Sequence, residues 1–336
     1  MEKNGEGIVL TVHCIAYNQE KYIRQCLEGI VSQKTEFPFF ALIYDDASTD
    51  GTAEIIREYE SRYQHLIKGI YSKQNVYSRE GFLGIKKILD ENSLGTYTAY
   101  CEGDDFWTDC RKLQKQYEAA EKYKAVLCVH PVRCVRENGE RTDTVIPEFT
   151  EGFVKSSDEF LRHLLVHGGS SCFVYQINSF FVRRDAQEAE FPLFMRKCNV
   201  FDVPFALQLG TKGTVVYLAE EMSCYRQASD ASWTLRTEAK KERILAHQET
   251  MCLCFEEYKN YTGHVYDSLI DRKITETRFK MLLHKEDYKG LCQEPFRAMF
   301  RKISKKHRLR IMLAYYCPLA VRIHDGIKRK NQTHGK

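Results

Sequence analysis

The first hundred residues switch repeatedly between two hydrophobic periods, and that alternation limits the fold more than any other feature. Ile8 to Ile15 is an apolar, β-branched run of strand length. Tyr22 to Gln33 then carries Ile23, Cys26, Leu27, Ile30 and Val31 on one helical stripe. Phe39 to Tyr44 reads as a second strand, residues 53–63 as a helix, Leu66 to Tyr71 as a third strand, Gly84 to Leu89 as helix and Tyr97 to Cys101 as a fourth strand. Strand–helix–strand repeats with short connections predict an α/β fold, a mostly parallel sheet with helices on both faces. Ligands of such sheets gather at the carboxyl ends of the strands. Three polar tips fall on that rim: Tyr17-Asn18 after strand one, Asp45-Asp46 after strand two and Asp104-Asp105 after strand four.

Further along, Arg111 to Tyr123 reads as a helix, Ala125 to Arg136 as one strand and Asn138-Gly139 as a hairpin turn. Ser156 to His167 is helical, capped by Ser156 or Ser157. Ser179 to Arg183 is a short strand, Phe201 to Gly210 a short helix and Thr214 to Leu218 a strand. Beyond Arg236 the pattern stays helical. The expected organisation is one α/β domain over 1–235, in halves divided near 125, followed by a helical region over 236–336.

The chain has 336 residues, enough for one large or two modest domains. Its formal net charge of +4 is too small to argue for a nucleic-acid partner. The start, Met1 to Gly7, is charged and polar, so no signal peptide is expected, and no apolar run is long enough to span a bilayer. The thirteen cysteines are scattered without CxxC spacing, which suits reduced thiols and a cytoplasmic location.

Chemistry concentrates at Cys101-Glu102-Gly103-Asp104-Asp105-Phe106-Trp107. An ionised aspartate pair is costly to hold unless something positive sits against it. Hard divalent cations take oxygen ligands, and Mg²⁺ typically joins a carboxylate to substrate phosphates. The pair therefore reads as a metal anchor for a phosphorylated substrate, against the alternative of a solvated turn.

These residues resemble the family 2 glycosyltransferases of GT-A fold. The first strand running into Ala16-Tyr17-Asn18-Gln19-Glu20 is similar to their first nucleotide-binding loop. Asp45-Asp46-Ala47-Ser48-Thr49-Asp50-Gly51-Thr52 is similar to their second-strand signature, and Glu102-Gly103-Asp104-Asp105-Phe106-Trp107-Thr108-Asp109 to the DXD-type motif of members that build bacterial polysaccharides. The likeness is strong over residues 8–125 and traceable to 235. It implies a GT-A nucleotide-diphospho-sugar transferase fold with a helical C-terminal extension. It also implies a nucleotide-diphosphate sugar as donor, expected to be a UDP-sugar, and Mn²⁺ or Mg²⁺ as cofactor. Ala16 and Tyr17 would line the base and ribose, and Asn18 and Glu20 in the same loop would help bind the nucleotide-sugar. Asp46 would accept from the base, Asp104 would sit near the ribose and sugar, and Asp105 would hold the metal. Asp202, in Asn199-Val200-Phe201-Asp202-Val203-Pro204, occupies the place of the catalytic base, although Phe201 departs from the usual acidic or glycine neighbour. Ser223 to Trp233 resembles the closing loop, with Arg226 in its Tyr-Arg pair but no histidine.

Sugar transfer from a nucleotide diphosphate needs a group that neutralises the departing diphosphate and a base for the acceptor hydroxyl. Arg226, Lys73 and Arg79 are basic candidates for the first task beside the metal. Asp202 is the choice for the second, and one base with direct displacement implies inversion. Each residue has a plainer alternative. Asp202 suits a helix N-cap, Asp46 and Ser48 suit caps, Trp107 either shapes an acceptor pocket or packs in the core, and His167 to Ser171 is either an acceptor-side loop or a flexible connection. Residues 301–330 are basic and amphipathic, and read either as an anionic membrane contact or as a helix packed on the catalytic domain. The expected acceptor is a glycan or a polyprenyl-linked glycan at the inner face of the plasma membrane. Two other classes fit the residues less well. A sugar-phosphate nucleotidyltransferase would open with a Gly-rich, Arg-containing loop, which Ala16 to Glu20 is not. A non-catalytic sugar-nucleotide binder or membrane-docked scaffold would not need Asp46, Asp104, Asp105 and Asp202 together.

Overall fold

The computed structural model describes residues 7–168, 175–227 and 241–317. Strand β1 (Leu10–Ala16) lies between two parallel neighbours, β2 (Phe39–Asp45) and β4 (Tyr97–Glu102), and β3 (Ile67–Tyr71) pairs parallel with β2. Leu10, Val12, Cys14 and Ala16 alternate along β1 and are buried against helix α1 (Ile23–Val31), through Ile23, Cys26, Leu27 and Ile30. Burying side chains of this size contributes roughly 1.5–3 kcal/mol each. Helix α2 (Thr52–Arg62) covers the same face with Ile56 and Tyr59, and α3 (Tyr77–Glu91) covers the other with Ile85 and Leu89 against Leu42 and Tyr44. A sheet covered on both faces needs strands that are apolar almost throughout, as these are.

Past β4 the sheet becomes mixed. Strand β5 (Phe106–Trp107) and helix α4 (Lys112–Tyr123) come next. The single strand expected over Ala125 to Arg136 is two, β6 (Leu127–Val129) and β7 (Val132–Val135), which belong to different sheets. The break falls at His130-Pro131, where proline has no N–H for a ladder. Strand β8 (Arg141–Ile146) forms the expected hairpin with β7: Arg136 N–H donates to Glu140 O at 2.8 Å and Gly139 takes φ +85°. Strand β9 (Phe153–Lys155) and helix α5 (Ser157–His167) follow, and Ser156 with Glu159 makes a capping box at the helix start. Strand β10 (Phe181–Arg183) inserts antiparallel between β4 and β6. Helices α6 (Leu193–Arg196) and α7 (Asp202–Gly210) precede β11 (Val215–Tyr217) and β12 (Ser223–Arg226). The main sheet has the order β3-β2-β1-β4-β10-β6-β11-β9, and a second sheet runs β5-β12-β7-β8.

The C-terminal helices are α8 (Lys241–Tyr261), α9 (Asp267–Lys285), α10 (Tyr288–Leu291), α11 (Phe296–Lys302) and α12 (Lys305–Tyr316). Met251, Phe255 and Tyr258 of α8 and Ile270 and Ile274 of α9 share one core with Phe160, Phe180 and Phe205, so these helices are built into the part of the chain after residue 125. Phe279, Leu291, Phe300 and Ile311 form a smaller core among α9 to α12. Among the described residues no helix is long and apolar enough to cross a membrane. Gly169 to Ser171, the Ala228 to Trp233 part of the closing loop and residues 318–330 of the basic tail lie outside the described residues.

Candidate active site

Parallel pairing sets three strand ends side by side: Ala16 stands opposite Asp45, and Ile15 opposite Glu102. The loops after β1 and β2 are then laced together. Asn18, at φ +51°, donates its N–H to Ser48 Oγ at 2.9 Å and accepts from Thr49 N–H through Oδ1 at 2.8 Å. Glu20 donates its N–H to Asp50 Oδ2 at 3.1 Å and accepts from Gly51 N–H at 2.7 Å. Asp46 N–H donates to Ala16 O at 3.0 Å. The side chains of Asn18 and Glu20 thus tie one loop to the next. Ala16 is buried, while Tyr17 is partly exposed at the end of β1.

Asp46 directly follows the end of β2. It is fully buried, and its carboxylate accepts from Val76 N–H at 2.7 Å and from Tyr77 N–H at 3.0 Å. A buried carboxylate requires donors, and the unpaired amides of a helix start supply them. Asp46 therefore caps the first turn of α3, rather than the helix that follows it in sequence.

The third tip carries the acidic cluster. Gly103 lets the turn pack closely, since a Cβ there would push Gln19 Oε1 aside and lie 3.1 Å from the Ala16 Cβ. Asp105 is buried; its Oδ1 accepts from Arg226 N–H at 2.9 Å and its Oδ2 from Asn178 Nδ2 at 2.7 Å. Arg226 is buried as well. It donates from Nε to Asp104 O at 2.9 Å, from Nη1 to Glu137 O at 2.6 Å and from Nη2 to Gln25 Oε1 at 2.7 Å, with its guanidinium 4.8 Å from the Tyr22 ring centre. Its guanidinium thus bonds the Asp104 carbonyl, Glu137 O and Gln25, while its backbone N–H holds the Asp105 carboxylate. Of the other basic candidates, Arg79 donates to Gln74 Oε1 at 2.6 Å and Lys73 is exposed. Trp107 is core: Nε1 donates to Asn178 O at 3.2 Å and Lys112 Nζ lies 4.3 Å from its ring centre.

Asp202 is the first residue of α7, and Phe201 rather than Asp202 is the N-cap. Its Oδ1 accepts from Val203 N–H at 2.9 Å. Burial pushes its carboxyl up to about 6, with that hydrogen bond opposing the shift. Glu102 is pushed up to about 8, first by burial and then by the charges of Asp104 and Asp202. Burial, Asp104 and Glu102 also hold Asp105 well above the usual carboxylate range. Four carboxyls from three elements thus feel one another. Beside them opens a cavity of about 980 Å³, lined by Glu102, Asp202, Tyr77, Phe201, Tyr225 and His247 among others. Helix α8 supplies His247, so the C-terminal region walls the cleft.

The donor set fits a hard divalent cation. All its atoms are carboxylate oxygens; burial is the main cause of the raised Glu102 and Asp105 pKa values, and the neighbouring carboxylates add repulsion that a cation would relieve. Asp104 and Glu102 are partly exposed, and each oxygen of Asp105 keeps a second lone pair. Among the described residues no group of three or more His, Cys, Asp or Glu is arranged to hold a metal ion on its own. The remaining ligands would come from a phosphate-bearing substrate.

Sequence reasoning missed Asn178. It is fully buried and binds Asp105, Cys224 O at 3.0 Å, Ser223 Oγ at 3.2 Å and Trp107. The only signal was a polar residue inside Gln176-Ile177-Asn178-Ser179, just before a strand.

Residues 11–182 match the sequence profile of the family described as "Glycosyl transferase family 2". The Mycobacterium tuberculosis protein Rv1520, uncharacterized, is 34% identical over 227 residues, covering 67% of this chain and 60% of the relative. The Bacillus subtilis protein TuaG, named as a teichuronic acid biosynthesis glycosyltransferase, is 31% identical over 103 residues, covering 31% of this chain and 38% of the relative. This chain therefore spans well under two thirds of the length of both. Residues 1–349 of Staphylococcus aureus TarS, solved in complex with UDP, superpose with a TM-score of 0.57 at 15% identity, covering 90% of this chain and 77% of TarS. At that identity the likeness speaks for the GT-A fold alone.

Proposed function

The chain belongs to glycosyl transferase family 2, and from that premise we propose that it moves a sugar from a nucleotide-diphosphate donor, a UDP-sugar, to a glycan or polyprenyl-linked glycan in bacterial surface-polysaccharide assembly. The observation that carries this reading is the shared cleft: Asp202 at the start of α7 and Glu102 at the end of β4 line one cavity, and Asp104 lies close enough to raise Glu102. The TuaG name supports the polysaccharide assignment.

In this reading the half before residue 125 holds the donor, with Ala16, Tyr17 and Asp46 around the base and ribose. Asn18, Glu20 and Arg226 fix the loops that do so. Asp104 and Asp105 would hold Mg²⁺ or Mn²⁺, which supplies Lewis-acid charge for the departing diphosphate. Asp202 takes the proton of the acceptor hydroxyl. That oxygen bonds to the anomeric carbon as the bond to the diphosphate oxygen breaks, and attack from the side opposite the leaving group inverts the centre. A base titrating near 6 is ionised at neutral pH and still basic enough to accept a proton in flight. The acceptor is read as lying at the inner leaflet of the plasma membrane.

A screen of nucleotide-sugars with Mn²⁺ or Mg²⁺, following nucleoside diphosphate release, tests this. One donor should release diphosphate in a metal-dependent way, and Asp104→Asn and Asp105→Asn should each lose metal-dependent UDP affinity by calorimetry. Release that ignores metal, or unchanged UDP affinity in both variants, would remove the anchor role.

A further inference from the structure

Helix α12 carries two chemistries on one outward face. Ile311 packs with Phe279, Leu291 and Phe300, which fixes the rotation of the helix. Leu309, Leu313 and Tyr316 are thereby turned out, exposed to 51%, 40% and 58%. Their spacing of i, i+4 and i+7 places them within roughly 60° of one another on the helix surface. Lys305 and Lys306, one turn earlier, continue the same stripe and are exposed, as are Arg301 and Lys302 at the end of α11. No acidic residue occurs from Arg301 to Cys317. Among the described residues Arg301, Lys302, Lys305 and Lys306 make no ion pair.

A face that is both apolar and basic suits few surfaces. Water disfavours the leucines, and a second copy of the same face would set lysine against lysine. Nucleic acid would leave the apolar stripe unused. An anionic bilayer matches both parts: leucines enter the acyl boundary, tyrosine sits at headgroup depth, and ammonium groups meet lipid phosphates. We propose that the Leu309–Leu313–Tyr316 face of α12, with Lys305 and Lys306 beside it, docks this protein on an anionic lipid bilayer. The inference deepens the reading of a membrane-presented acceptor and rests on it for its purpose, but its test needs no transfer activity.

The experiment is co-sedimentation of the full chain with vesicles of phosphatidylcholine alone or mixed with phosphatidylglycerol. Binding should require phosphatidylglycerol and weaken with salt. K305Q/K306Q should bind about thirty-fold more weakly, the factor two basic groups contribute near an anionic surface. L309E/L313E should lose binding, with thermal unfolding and UDP affinity as in the parent chain. Equal binding to neutral vesicles, or parent-like binding by both variants, would overturn the proposal. So would a dimer in light scattering that L309E/L313E converts to monomer, since the face would then belong to a protein interface. Failure of UDP binding in the parent chain would strike the transferase reading and leave the vesicle result standing.

Discussion

Asp202 owes its chemistry to two opposing effects at one helix end. Burial raises its carboxyl to about 6, and the Val203 N–H limits the rise. A base must be ionised, so the rate should fall about tenfold per pH unit once the pH drops below about 6, and stay level above it. A pH–rate profile under saturating donor checks this, and a flat profile down to pH 5 would exclude Asp202 as the titrating group. Asp202→Asn should keep UDP binding and lower transfer by roughly 10²–10⁴-fold. Asn178 acts one step removed, since it donates to Asp105 without lining the cavity. Asn178→Ala leaves a buried carboxylate oxygen without its donor, which costs about 1–3 kcal/mol. We expect a lower Tm and weaker metal-dependent UDP affinity, with Asn178→Asp worse than Asn178→Ala because it sets two carboxyls against each other.

Helix α1 is the element that fixes how close the second sheet comes to the first. A Cβ at Gly29 would lie 2.9 Å from Trp107 O and 3.0 Å from Trp107 N, so α1 meets the backbone of β5 directly. Gly29→Ala would gain about 1 kcal/mol of helix propensity. Overpacking against backbone that cannot rotate away costs about 1–3 kcal/mol, and the second effect should win. A Tm lowered by a few degrees, with Asp105 displaced and UDP affinity reduced, is the expected outcome. A raised Tm would show that the contact has slack. Helix α3 depends on Asp46 in the same local sense. Asp46→Ala removes two charge-assisted bonds from its first turn, so thermal stability should fall even without nucleotide.

Across the whole molecule the acidic cluster trades stability for charge. Glu102 titrates near 8 when folded, above the ordinary glutamate value of 4.5. Its folded pKa is raised, so its contribution is complete below pH 4.5 and is lost as pH rises through 8. Glu102→Gln cannot ionise. The difference in Tm between Glu102→Gln and the parent chain should therefore move in favour of the variant from pH 5 to pH 8. Added Mn²⁺ with UDP should narrow that difference, because a bound cation offsets the same repulsion. A difference independent of pH would mean that Glu102 titrates normally. The C-terminal helices belong to this scale too: α8 and α9 bury their aromatic and aliphatic residues in the core that holds Phe160, Phe180 and Phe205, so the cleft is walled by chain far in sequence from Glu102.

The alternation of strand and helix periods determined the parallel β1–β2–β4 arrangement, because side-chain spacing is a local property and a doubly covered sheet needs apolar strands. It also placed the tips after Ala16, Asp45 and Glu102 on one rim. The role of each acid was not local. Asp46 found its donors at Val76 and Tyr77, and Asp105 found Asn178 and Arg226, partners 73 and 121 positions away in the chain. Strand β5 has two residues, too few to show any period, so the second sheet that joins Asp105 to Arg226 was invisible before folding. Which carboxylate faces the cleft and which is locked behind it was decided by tertiary packing, since burial and donor supply depend on what the rest of the chain brings close.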